Sequence, residues 1–295
     1  MKYQLVVLFC LLNSSLEAQT PLVLLHTADT HSHLEAVDDG VQSRGGIVRR
    51  EALVRGVRKE APLVILLDAG DFVQGTPYYN LLSGKAEIKT MNFLKYDAVT
   101  LGNHEFDNGP EALFQLLKWT KFDVICSNYV FKEKRFSKKI SQWKVVRKGD
   151  TRIGIVSANI APFGLISDKN FINIQYVDPI QTADSIAAWL KSKMQCDVVI
   201  CLSHLGLDRT GSNPDDLKLA EKSSFIDIVV GGHTHSITQK PRMVMNQIKE
   251  PVVIHHSGSK GLYVGRLDVS VTQSKAKKQS VLTLFFQRIA RKLCW

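Results

Sequence analysis

Five short apolar runs in this chain each end in Asp, Asn or His, the side chains that bind metal ions or move protons. Residues 22–25 lead into His26, Asp29, His31 and His33, and residues 63–67 into Asp68, Gly70 and Asp71. Residues 98–101 lead into Gly102, Asn103, His104, Glu105 and Asp107. Residues 198–202 lead into Ser203 and His204, and residues 226–230 into Gly231, Gly232, His233, Thr234 and His235. Seven of the nine histidines fall in or beside these loops, a segregation that scattered core histidines would not produce. Imidazole nitrogen mixed with carboxylate and amide oxygen suits borderline divalent ions such as Zn, Mn, Fe or Co. Calcium, which prefers an almost all-oxygen shell, fits less well. A single tetrahedral site takes about four ligands, whereas the loops offer about seven, enough for two ions sharing a carboxylate. Such a pair can hold a hydroxide between the ions and clamp the oxygens of a phosphate during in-line displacement.

Positioning these residues needs strands whose ends converge. Continuous Val/Ile/Leu runs, without strict alternation, suit strands buried on both faces. Beyond the five, residues 124–126, 153–156 and 252–254 read the same way. Helical periodicity appears over 46–60, over 110–119, where Pro110 suits a first turn, and over 180–194. Strands alternating with helices argue for an α/β fold with helices covering the sheets. In such sheets ligands bind beyond the carboxyl ends of the strands, which is where the polar clusters fall. No internal repeat, low-complexity segment or linker interrupts the pattern, and the sequence reads as one domain.

Composition is that of an ordinary globular protein, 44% hydrophobic and 22% charged. It excludes wholesale disorder and a scaffold held only by disulfides. Thirty-eight Lys and Arg against 28 Asp and Glu give a formal charge of +10, which favours anionic partners in general. The basic residues are dispersed, however, and no basic helix is interleaved with base-stacking aromatics, so long DNA or RNA is not an expected partner. Residues 1–20 read as a secretory signal: Lys2, an apolar stretch over 5–12, then Ala18 at a cleavage point before Gln19. That apolar stretch is shorter than the roughly 20 residues that cross a bilayer, and no later segment is long enough to span. An exported, periplasmic or extracellular protein without a transmembrane segment is expected. Cys126 and Cys201 sit inside apolar runs and read as buried small hydrophobes. Residues 274–279 read as a polar turn, 280–286 as a strand, and both 132–139 and 288–295 as solvated basic segments.

At its polar clusters the sequence resembles the calcineurin-like metallophosphoesterase superfamily. The matching residues are Asp29-Thr30-His31, Gly70-Asp71, Gly102-Asn103-His104-Glu105, His204 and Gly232-His233-Thr234-His235. Flanking residues narrow the likeness to the 5′-nucleotidase/UDP-sugar hydrolase group: LHTAD over 25–29, Gly45-Gly46, DAGDFVQGT over 68–76, GNHEFD over 102–107 and Gly265-Arg266-Leu267. The resemblance implies a four-layer α-β-β-α sandwich, two packed β-sheets flanked by helices. It implies two divalent metal ions, one held by Asp29, His31, Asp71 and His235, the other by Asn103, His204 and His233, with Asp71 bridging. His104 and Asp107 match the catalytic pair, and Asn103 and His104 are expected to bind the substrate phosphate. An imidazole held and kept protonated by a carboxylate can stabilise transition-state charge or protonate a leaving oxygen. Asp68 is open to two roles, orienting a ligand or capping a turn. His235 departs from the group, many of whose members carry Gln or Asn there, but imidazole can still ligate.

Members of this group usually continue into a second domain that grips the nucleotide. The expected organisation here is a signal peptide over 1–20, a metallophosphoesterase domain over 21–272 and a basic C-terminal extension over 273–295, with that second domain absent. The expected function is a secreted dimetal phosphoesterase that hydrolyses 5′-nucleotides or related phosphate esters through a metal-bridging hydroxide. One alternative makes the chain the metallophosphatase half of a two-polypeptide nucleotidase, inactive or unselective until a separate substrate-binding protein docks. Another gives it cyclic nucleotides or pyrophosphates as substrates.

Overall fold

The computed structural model describes residues 22–38, 42–274 and 279–285. The leader over 1–20 and the basic end over 288–295, with Cys10 and Cys294, lie outside the described residues. The chain enters on β1 (Leu22–Thr27), followed by a small hairpin of β2 (Ala36–Asp38) and β3 (Ser43–Gly45), then α1 (Ile47–Glu60). Next come β4 (Leu63–Asp68), α2 (Pro77–Leu82), α3 (Lys85–Leu94), β5 (Ala98–Thr100), α4 (Gly109–Leu117) and β6 (Asp123–Ile125). The middle of the chain forms β7 (Tyr129–Phe131), β8 (Ile140–Ser141), β9 (Lys144–Lys148), β10 (Thr151–Asn159), β11 (Ile174–Tyr176) and α5 (Pro179–Ser192). It continues through β12 (Val198–His204), α6 (Asp216–Lys222), β13 (Ile228–Gly231), β14 (Arg242–Met245) and β15 (Pro251–His256). β16 (Gly265–Ser274) and β17 (Gln279–Phe285) complete the described part.

Two large sheets result. A seven-stranded sheet has the order β17-β16-β1-β4-β5-β6-β8, and a six-stranded sheet the order β14-β15-β13-β12-β10-β9. β1, β4, β5 and β6 are parallel, as are β10, β12, β13 and β15, so the carboxyl ends in each set lie along one edge.

Alternation along each strand explains the unbroken apolar runs. On β1, Leu22 and Leu24 face a core between the sheets while Val23 and Leu25 face a second core. β4 divides likewise, Ile65 and Leu67 against Val64 and Leu66. On β12, Val198, Ile200 and Leu202 enter the inter-sheet core, while Val199 and Cys201 enter a third. The second core is closed by Val54 and Val57 of α1, Ile88, Met91 and Leu94 of α3, and Leu113, Leu116 and Leu117 of α4. The third is closed by Ala183, Ala187 and Leu190 of α5 and Leu219 and Ala220 of α6. Three cores between four layers make the architecture an α-β-β-α sandwich, as expected.

α1, α4 and α5 occupy the three periodic segments. α5 starts on Pro179, with the Asp178 carboxylate accepting the Gln181 backbone N–H. α2, α3 and α6 have no counterpart in the sequence analysis; α2 and α6 have only six and seven residues, too few turns for a clear apolar stripe. Cys126, Cys196 and Cys201 are buried and free. Among the described residues no helix is long and apolar enough to cross a membrane.

Candidate metal centre

The carboxyl ends of β1, β4, β5 and β13 deliver polar residues to one cleft of about 510 Å³, and His204 at the end of β12 lies buried against Asp71. His31, Asp71, Asn103, His104, His233 and His235 line it. Three sets of donor atoms converge within 4.8 Å of one another: Asp29, His31 and His235; His31, Asp71 and His104; and Asp71, His204 and His233. Every residue expected to hold a metal through a charged or imidazole side chain is therefore in the cluster, with Asp71 at its centre. Asn103 lines the same cleft.

The backbone turns sharply to aim these side chains inward. Asp29, His31, Asp71, His233 and His235 all have left-handed φ, between 46° and 73°. Such conformations are uncommon outside glycine and cluster at functional sites, where surrounding contacts hold them. Here Asp29 N–H donates to Gly70 O and His31 N–H to Asp71 O, tying the first two loops together. The Asp29 carboxylate accepts the His233 backbone N–H, tying the fifth loop to the first. His204 Nδ1–H donates to Ala69 O at 2.7 Å, which turns Nε2 toward Asp71. Gly102 must lack a side chain, because a Cβ there would collide with the Asp71 carboxylate.

Glu105 belongs to the sequence motif but had no role assigned to it there. Its buried carboxylate accepts the backbone N–H groups of Gly102, Asp71, Phe72 and Val73, clamping the β4 and β5 loops to each other. Its place inside the GNHEFD run over 102–107, directly before the apolar Phe106, is the only signal of this in the sequence. Asp68 caps its turn: Oδ1 accepts the Gly70 N–H and Oδ2 the Thr27 hydroxyl. His33 lines the cleft, with Nδ1–H donating to His31 O at 2.8 Å. His26 does not join the site. It lies on the Leu22/Leu24 face of β1, fully buried, with Nε2 2.6 Å from Nδ1 of His255 on the opposite sheet.

The electrostatics call for added positive charge. Burial, assisted by Asp71, pushes the Asp29 carboxyl up to about 7. Burial works the same way on Asp71, but the neighbouring His204 cation outweighs it and holds Asp71 well below the usual carboxylate range. Burial opposes charge on His204, yet Asp71 and then Asp29 push it up to about 10. Burial pushes His31 down to about 4 and His233 down to about 3. His204 Nε2 sits 3.0 Å from Asp71 Oδ2 without hydrogen-bond alignment. His31 Nε2 faces His235 Nε2 at 3.0 Å, and the buried Asn103 Oδ1 has no donor. Lone pairs of neutral imidazoles, two buried carboxylates and an orphaned amide oxygen pointing into one cleft fit divalent cations of the borderline class.

Beside this cluster His104 Nδ1 lies 2.8 Å from Asp107 Oδ2, and that hydrogen bond raises the imidazole against the effect of burial. Asn170 fixes the turn by donating from Nδ2 to Asp107 O at 2.7 Å.

Residues 22–236 match the family of calcineurin-like phosphoesterases. The trifunctional nucleotide phosphoesterase protein YfkN of Bacillus subtilis (strain 168) is 31% identical, over 89% of this chain and 19% of its own length. The 5′-nucleotidase of Homo sapiens is 34% identical, over 73% of this chain and 38% of its own length. The chain thus spans less than half of either relative. The crystal structure of a 5′-nucleotidase precursor from Thermus thermophilus superposes with a TM-score of 0.79 at 33% identity, covering 91% of this chain and 55% of that one.

Proposed function

The chain belongs to the calcineurin-like phosphoesterase family, and on that premise we propose that it is an exported dimetal phosphoesterase acting on 5′-nucleotides or related phosphate esters. The observation that carries the reading is the meeting of metal-donor side chains from five strand ends beside an imidazole backed by a carboxylate. Asp29, His31, Asp71 and His235 would hold one divalent ion, and Asp71, Asn103, His204 and His233 the other, Asp71 being shared. Bound ions supply Lewis acidity toward phosphoryl oxygens and an activated water as nucleophile. Zn, Mn, Fe and Co all suit the donor set.

The chain's own residues do the rest. Asp107 engages His104 Nδ1, leaving Nε2 of this cleft-lining imidazole for the substrate. A proton held there donates to a phosphoryl oxygen or to the departing alcohol oxygen. Asn103 has an amide N–H for a second phosphoryl oxygen while its Oδ1 serves a cation. Glu105 holds both loops so that these donors do not drift. Nucleotides are favoured as substrates because the human relative is a 5′-nucleotidase and the bacterial one a nucleotide phosphoesterase. Export rests on the leader-like residues 1–20.

The test is the chain without residues 1–20, stripped by a chelator, resupplied with Mn or Zn, and assayed against AMP, ADP, cyclic AMP and pyrophosphate. Expected is hydrolysis of a 5′-nucleotide that disappears on chelation and returns with metal. Metallated protein that hydrolyses no phosphate ester refutes the proposal; turnover confined to cyclic AMP or pyrophosphate transfers the substrate to those classes.

A further inference from the structure

Beneath the cleft lies a second buried polar constellation, made of Ser203, Asp216 and His256. The three residues are each at most 1% exposed. Ser203 pairs with Gly231 across β12 and β13, and Gly231 pairs with His256 across β13 and β15, so the three stand in one row on neighbouring strands. Asp216, the first residue of α6, lies over that row. Its Oδ1 accepts the Ser203 hydroxyl, and its Oδ2 lies 2.6 Å from His256 Nε2. The carboxylate thereby bridges β12 and β15 across the strand between them. Gly231 makes the crossing possible, since a Cβ there would strike both His256 Nε2 and Asp216 Oδ2.

A Ser, an Asp and a His in contact invite comparison with a nucleophilic triad. The connectivity excludes it: Ser203 donates to the carboxylate, not to the imidazole, and its hydroxyl is closed off from the cleft. What the row adjoins is more telling. His204 is the next residue after Ser203, and His233 follows Gly231 by two. Gly232 N–H donates to Ser203 O at 2.9 Å, and Asp216 N–H donates to Gly206 O at 2.8 Å, so the loops leaving both strands are tied to the same row.

We propose that Ser203, Asp216 and His256 form a positioning clamp that sets the separation of His204 and His233, and with it the affinity of one of the two cation positions. The inference rests on the metal reading above and adds to it residues outside the cleft. Groups that orient metal ligands change affinity by about 10- to 100-fold when removed. The clamp acts most directly on His204 and His233, so the cation equivalent they hold weakens by that factor while the other, on Asp29, His31, Asp71 and His235, weakens less.

The experiment is a cobalt(II) titration of metal-free protein, followed by visible absorption and calorimetry, for wild type, S203A, D216N, H256L and H256Q. Far-UV circular dichroism and thermal unfolding of the metal-free proteins check folding; S203A is the mildest change and keeps the test usable should D216N or H256L fail to fold. Expected is two equivalents in wild type, one of them about 10- to 100-fold weaker in S203A, D216N and H256L, and recovery in H256Q, whose amide N–H can still reach Asp216. Equal weakening of both equivalents, or no weakening in folded S203A, overturns the clamp. A wild type that binds no cobalt fails earlier and differently, by removing the metal reading itself.

Discussion

The His26–His255 contact between the sheets makes stability depend on pH in a calculable way. Burial, then the positive charge that His255 and His256 would carry, holds His26 well below its ordinary 6.5. Burial, then His256, pushes His255 down to about 4. His256 in turn is bonded to Asp216, and no other titratable partner of the pair is found among the described residues. In the unfolded chain both imidazoles take up a proton below about pH 6.5, whereas in the folded chain they do not. The unfolded state therefore binds more protons, and stability falls as pH falls from 6.5 toward 4. At about pH 5 the gap for His255 is about 1.5 pH units, or about 2 kcal/mol, and His26 shifts stability in the same direction. H255N removes the ring held at about 4 and places an amide nitrogen near the position of Nδ1. Urea unfolding at about pH 7.5 and about pH 5, in chelator, should show wild type losing about 2 kcal/mol more than H255N over that interval. His31 and His233 titrate in both proteins and cancel in the comparison. Parallel stability curves for wild type and H255N would refute the assignment of the acid sensitivity to this contact.

Three further outcomes follow from the site. H104A should lower kcat by about 100- to 10,000-fold while leaving the bound metal content unchanged, measured by steady-state kinetics and elemental analysis. D71N, which removes the charge shared by both donor sets, should leave fewer than two divalent ions per chain by elemental analysis and abolish hydrolysis. E105A strands four backbone N–H groups; at about 1–3 kcal/mol for each buried donor left unpaired, urea unfolding should show a loss of several kcal/mol, smaller in E105Q.

Much of the sandwich is legible because each central strand is buried on both faces, which writes a continuous apolar run into the sequence; β1, β4 and β12 are such cases. The same runs expose the site, since a polar residue after an apolar strand needs a reason to be there. α2 and α3 are not legible because Ser83-Gly84 interrupts them and leaves α2 a six-residue piece with one buried residue, Tyr79, too short to show a stripe. Proximity to Asp29 in sequence groups His26 with the site. Counting by twos from Leu22 and Leu24 places it instead on the inter-sheet face. The left-handed turns at Asp29, Asp71 and His233 leave only a weak trace in residue type: Asp and His are enriched there but mostly adopt other conformations, so the turn is fixed only by the assembled loops. Asp216 and His256 are 40 residues apart and meet only once β15 has paired beside β13.

The charge of the chain gains a different meaning once its position is known. A formal +10 suggests affinity for anions, yet the cleft contains little of it: among its lining residues Lys260 is the one side chain of fixed positive charge. Against it stand Asp71 in the lining and Asp29 just beneath, both almost wholly buried. Without added cations the Asp71 carboxylate is offset by the neighbouring His204 cation, which leaves the cleft little net charge with which to draw in an anionic phosphate. Two divalent ions would add strong positive charge there, at low dielectric, where each charge acts most strongly. Attraction of phosphate is thus assigned to the donor set at the strand ends, and the dispersed lysines and arginines are left to steer anions from a distance in a salt-dependent way.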